Sequence, residues 1–176
     1  MEAIEEYLDT AKDCLVFRKP DGGCRGYPDA LLLLCTLDVL GRFAKDEIVP
    51  VDGNQQKIGD ASFRVLNHPT WFGQSLSDAE MKRIKDAFRH TLAHNALLIA
   101  MAYLNGEPHQ QAFAFYRDAV EIRLIPFHEL LRNAWAKFDK SLIPTWVMKN
   151  PKLVLPLAKT PMLPTPTAIV ASSGCP

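Results

Sequence analysis

The run Leu31-Leu32-Leu33-Leu34-Cys35 is apolar on nearly every side of a helix, and a helix without a polar face has to be surrounded by protein. Helix is predicted from Pro28, which a first turn accepts, to about Ala44. The wider apolar stretch from Ala30 to Leu37 ends at Asp38, well short of the roughly 20 residues that cross a bilayer. This segment is therefore read as the central core helix. Asp38 then falls near the core and demands a hydrogen-bond partner, and a structural bond is favoured there over a functional carboxylate.

Other helices are written around it. Ile4, Tyr7, Leu8, Ala11, Leu15 and Val16 form a stripe of period near 3.6, which predicts a first helix from about Glu2 to Phe17. The connection Pro20 to Pro28, with its glycines, lacks the Gly-Lys-Ser/Thr ending of a phosphate loop and follows a helix, so it reads as a linker. Ser77-Asp78-Ala79-Glu80 has the form of a capping box and opens a long helix from about Asp78 to Ile99. Pro126 opens a closing helix to about Lys140, with Leu130, Leu131, Ala134, Trp135 and Phe138 on its inner stripe.

Between Lys45 and Gln74 the pattern loosens into a polar loop around Pro50, Asp52-Gly53-Asn54 and Gly59, with a short helical piece near Ala61 to Leu66. Gln111 to Tyr116 and Val120 to Ile125 are aromatic and β-branched, which predicts a small antiparallel sheet. The expected fold is mainly α: a bundle of four to five helices with a small β-hairpin, in residues 1–149. Residues 150–176 carry six of the 13 prolines and form a Pro-rich C-terminal extension, apolar enough to drape over the domain or a partner.

Composition excludes several classes of function. Twenty Lys and Arg balance 20 Asp and Glu, so no global positive field holds nucleic acid, and any RNA contact must be local. Cys14, Cys24, Cys35 and Cys175 form no C-x-x-C pair and no zinc spacing, which suggests free thiols in a reducing compartment, the cytoplasm. The acidic N-terminus lacks the pattern of a signal peptide, and no membrane association is expected.

On the helix from Asp78, residues Met81, Ile84, Phe88, Thr91, Leu92, Leu98 and Ile99 fall on one buried arc at about 100° per residue. Arg89 and His94 lie off it, about 140° apart, bordering an accessible arc with Ala93 at its middle. A second copy of the helix packed there around a two-fold axis would gather both pairs in one cleft. Histidine moves protons near neutrality and arginine grips phosphate oxygens, a combination suited to cleaving a phosphodiester.

The stretch Phe88-Arg89-His90-Thr91-Leu92-Ala93-His94-Asn95 resembles the R-x4-H motif of the HEPN family of helical-bundle proteins, with the polar His90 directly after the arginine. The order of elements over about residues 1–142 is similar to that family as well. The resemblance implies a metal-independent endoribonuclease acting as a homodimer, without a cofactor, on an RNA substrate. Alternatively it implies a non-catalytic module that binds RNA or nucleotide, or serves in interaction. A toxin or defence role with a neutralising partner protein belongs to the same expectation. Ala96 stands where the nucleotidyltransferase-paired toxins continue as R-x4-H-x-Y, so control by modification of that tyrosine is not expected.

Under the nuclease reading His94 handles the proton of the RNA 2′-hydroxyl, Arg89 stabilises charge on the phosphate, and His90 and Asn95 orient the pair or bind substrate. The competing readings are a helix face on which Arg89 pairs with an acid such as Asp86, and a metal site at His90 and His94. The metal site is not expected: Thr91 replaces the metalloprotease glutamate, and no third ligand suggests itself among His68, His109 and His128.

Overall fold

A computed structural model describes residues 2–20, 22–90, 92 and 102–144. The apolar run becomes the hub: α2, Gly26–Phe43, buries Ala30, Leu33, Leu34, Leu37 and Leu40 completely. Helix α1, Glu2–Val16, lays Ile4, Leu8 and Ala11 against this core. Helix α4, Leu124–Lys137, buries Leu124, Phe127, Leu131, Ala134 and Trp135, and its buried His128 meets the Leu8 carbonyl of α1 through Nε2 at 2.8 Å. Helix α4 buries most of its expected stripe, whereas Tyr7 and Val16 of the stripe expected on α1 are exposed.

The strands overturn the expected helical bundle. After α2 the chain forms a hairpin, β1 Ile48–Val51 paired antiparallel with β2 Asn54–Lys57, where a polar loop was expected. Asp52 and Gly53 both take positive φ, 49° and 78°, the two-residue turn whose twist suits a hairpin. Farther on, β3 Ala102–Asn105, β4 Phe113–Phe115 and β5 Val120–Arg123 form a sheet in the order β3-β5-β4. The predicted antiparallel pairing of these last two is present, but β3 runs parallel to β5, with Tyr103 opposite Glu121. The fold is therefore mixed α/β with a parallel strand pair, not a mainly helical bundle.

Between the two sheets, a 3₁₀ turn at Ser62–Asn67 matches the short helical piece expected near Ala61 to Leu66. Asn67 is buried, and its amide donates to the carbonyls of Pro50 and Leu76 at 2.8 and 2.7 Å while its oxygen accepts from Leu76 N–H. One side chain thus ties the hairpin to the loop ahead of Ser77. Asn67→Ala strands these backbone groups, and a loss of about 2 kcal/mol in urea unfolding is expected. A loss below about 0.5 kcal/mol would show that water replaces the amide without cost.

Helix α3, Asp78–Ile84, starts at the predicted capping box: Ser77 Oγ accepts from Glu80 N–H, and Ser77 N–H donates to the Glu80 carboxylate. Asp78 is gripped by both Nε and Nη2 of Arg64, which holds its carboxyl below the usual range. From Lys85 to His90 the chain widens into a π-helical turn. Leu92, within the predicted continuation to Ile99, is helical and buried; the remainder of that continuation beyond His90 and the Pro-rich extension lie outside the described residues. No described helix is long and apolar enough to cross a membrane.

Candidate functional site

A π turn takes more residues per revolution than an α turn, so residues after Ile84 fall behind the 100° phase used to place the motif. Phe88 is buried, as its place on the predicted arc requires, and Ala87 is buried beside it. Arg89, expected on an accessible arc, instead turns toward α2, its side chain 26% exposed. Asp86, the acid weighed as its partner, is held by Lys82. Arg89 finds Asp38.

Asp38 is buried, and the expectation that it needs a partner is met: Ser62 Oγ donates to its Oδ1 at 2.5 Å. Its Oδ2 faces two guanidiniums, Arg42 Nε at 3.3 Å and Arg89 Nη2 at 3.8 Å. The second separation is an ion pair without a hydrogen bond. Arg89 Nε is sealed from solvent and, among the described residues, has no acceptor. Two cations thus share one carboxylate, and the inner one is left with donors unfilled.

Two further residues shape this place. Cys35, one turn before Asp38, lies within the fields of Arg89 and Asp38; burial pushes its thiol up, and the guanidinium only partly opposes that. Such a thiol is not an activated nucleophile. Gly41 lets the Ser62 backbone come against α2, since a Cβ there would lie 2.0 Å from the Ser62 carbonyl oxygen. The contact brings Ser62 within reach of Asp38.

Of the predicted site residues, Arg89 is placed at this cluster, and His90 ends the π turn. His94 and Asn95 lie outside the described residues. Cys14, Cys24 and Cys35 are free thiols. Among the described residues no three His, Cys, Asp or Glu side chains converge as a metal cage. His68 stacks on Trp71 with ring centroids 3.6 Å apart, and burial holds its imidazole below its ordinary pKa despite the nearby Glu47.

Sequence reasoning missed a second polar cluster, on the outer face of the three-stranded sheet. Glu121 is buried there and accepts from Asn105 Nδ2 at 2.7 Å, the Tyr116 hydroxyl at 3.0 Å and Arg123 Nε at 3.4 Å. Burial pushes its carboxyl up, but the bonds from Asn105 and Tyr116, with the Arg123 charge, outweigh that and leave it below its ordinary value. Asn105 Oδ1 accepts from Glu107 N–H, so its amide nitrogen also donates to His109 Nε2 at 2.9 Å. A carboxylate so fully engaged is a fastening between strands rather than a base. The alternation at Glu121-Ile122-Arg123 signalled the shared face, but not the Asn105 that reaches it from β3.

Comparison with family models, with curated proteins and with solved structures finds no match for this chain.

Proposed function

We propose that this protein binds RNA or nucleotide phosphate through Arg89, as a non-catalytic module. The supporting observation is the place of that guanidinium: its side chain remains 26% exposed, and its Nη2 lies 3.8 Å from a carboxylate already taken by Ser62 and Arg42. A planar fork in this state gains charge-assisted hydrogen bonds from a phosphate without having to be ordered first. Arg42, whose side chain is 73% exposed, adds a second positive charge at the rim. The chain carries no net charge, so binding would be local, with a shallow dependence on salt.

The sequence Arg89-x4-His94 favours a second reading, the metal-independent endoribonuclease of a cytoplasmic homodimer, with His90 and Asn95 assisting and a neutralising partner to restrain it. That reading needs His94 beside Arg89 across a two-fold. Binding needs only the arginine.

One experiment separates them. The full chain is incubated with single-stranded RNA and matching DNA in chelator, and binding, cleavage and oligomeric state are measured for wild type, Arg89→Ala and His94→Ala. The binding reading expects intact RNA and an affinity at least about tenfold lower in Arg89→Ala, the loss of one or two charge-assisted hydrogen bonds. RNA-only cleavage leaving 2′,3′-cyclic phosphate ends, and lost in a folded dimeric His94→Ala, would replace it with the nuclease. No binding, or binding unchanged in Arg89→Ala, overturns both roles for Arg89.

A further inference from the structure

A hollow of about 520 Å³ opens at the other end of α2, between its first turn and the chain leaving β3 and β5. Its floor is apolar, formed by Leu104 and Leu124, and Lys19, Arg25 and Tyr27 stand around its mouth. It therefore lies outside the carboxyl ends of the two parallel strands, where open α/β sheets form ligand crevices. Gly26 shapes the floor: a Cβ there would sit 3.3 Å from Leu124 Cδ1 and 3.9 Å from Leu104 Cδ1.

Among the described residues the charges at this mouth are not answered. Arg25 is exposed, and its guanidinium, with its N–H donors, lies 3.8 Å over the Phe17 ring. Among the described residues no acceptor takes those donors, and none takes the Lys19 ammonium. The nearest acid on α2, Asp29, is wholly buried away from the mouth. Tyr27, 49% exposed, offers a flat face beside the two cations. Cations, an exposed aromatic ring and an apolar floor in a space of this volume suit a ligand that is anionic at one end and flat at the other.

We propose that this hollow binds a mononucleotide, with the phosphate on Arg25 and Lys19 and the base against Tyr27 over Leu104 and Leu124. Arg25 provides the fork for phosphate oxygens, pre-set by Phe17, and Lys19 adds a point charge. Tyr27 stacks on the base without selecting among bases. The site is independent of Arg89, since Arg25 and Asp38 are roughly 20 Å apart along α2 at 1.5 Å per residue.

The test is calorimetric titration of the full chain with adenosine 5′-monophosphate, adenosine and inorganic phosphate, for wild type, Arg25→Ala, Lys19→Ala and Tyr27→Ala. Lys57→Ala on the hairpin is the control, Arg89→Ala is measured beside it, and circular dichroism checks each fold. Expected are binding of the monophosphate, at least tenfold weaker binding of adenosine and in Arg25→Ala, and about a fivefold loss or more in Tyr27→Ala. Lys57→Ala should stay within twofold of wild type, and Arg89→Ala should keep the Arg25-dependent event, losing at most a separate second one that belongs to the Arg89 reading. No binding at millimolar nucleotide, or equal binding in Arg25→Ala and Lys19→Ala, overturns the proposal. Phosphate binding as tightly as the nucleotide would overturn its base-holding half, and a loss in Arg89→Ala alone would move the ligand to the other end of α2.

Discussion

Gly41→Ala is expected to cost about 3 kcal/mol or more and to lower the melting temperature by roughly 6–12 °C. Helix propensity alone points the other way, because alanine in a helix interior is favoured over glycine by about 1 kcal/mol. The clash decides the sign. A Cβ at this position would lie 2.0 Å from the Ser62 carbonyl oxygen, 2.6 Å from its carbon and 2.8 Å from its Cα. All three are backbone atoms, so no rotamer change relieves the overlap, and the 3₁₀ turn must move off α2. That displacement also draws Ser62 Oγ away from Asp38, leaving a buried carboxylate with guanidiniums alone. The RNA binding proposed for Arg89 should therefore weaken together with stability. Urea unfolding and a binding titration on the same protein check both, and a variant as stable as wild type would mean that the helix and the turn do not approach this closely.

The same region shows what the sequence could and could not reveal. The all-round apolarity of Leu31 to Cys35 placed α2 at the centre, and the buried position of Asp38 forecast a partner. Ser77 and Glu80 marked the start of α3 within a residue, because a capping box is a local device whose atoms all lie within one turn. The partner of Asp38 was not legible, since Ser62 is 24 residues away and reaches it only because Gly41 admits the turn.

Strands were lost for a related reason. Asp52-Gly53 is a hairpin signal, but Asn54-Gln55-Gln56-Lys57 has no apolar alternation, and Pro50 spoke against a strand. The pairing of β3 with β5 skips over β4, and no local periodicity encodes which four-residue segments will align in parallel. Arg89 was found as a candidate from the motif, yet its direction depended on the π turn, a change of phase that a fixed 100° step does not contain. Local devices were readable, and the geometry that joins distant segments was not.

Asp29 provides the largest effect of pH. Its side chain is wholly buried in the first turn of α2, and among the described residues neither carboxyl oxygen has a hydrogen-bond partner. Burial pushes its pKa up to about 8, far above the 3.8 of a free aspartate. The folded protein therefore keeps the proton that the unfolded chain gives up. Below pH 3.8 both states are protonated and the group costs nothing in charge; from there to about pH 8 the unfolded state alone ionises, and stability falls as pH rises. By pH 7 the cost is on the order of 4 kcal/mol. Asp29→Asn keeps the shape of the protonated acid and removes its titration. The variant is expected to gain most over wild type at pH 8 and little at pH 4.5, with a flatter profile of urea midpoint against pH. Parallel profiles for the two proteins would show that Asp29 ionises in the folded state with water or a partner beside it, and the buried acid would then have to be withdrawn from the account of α2.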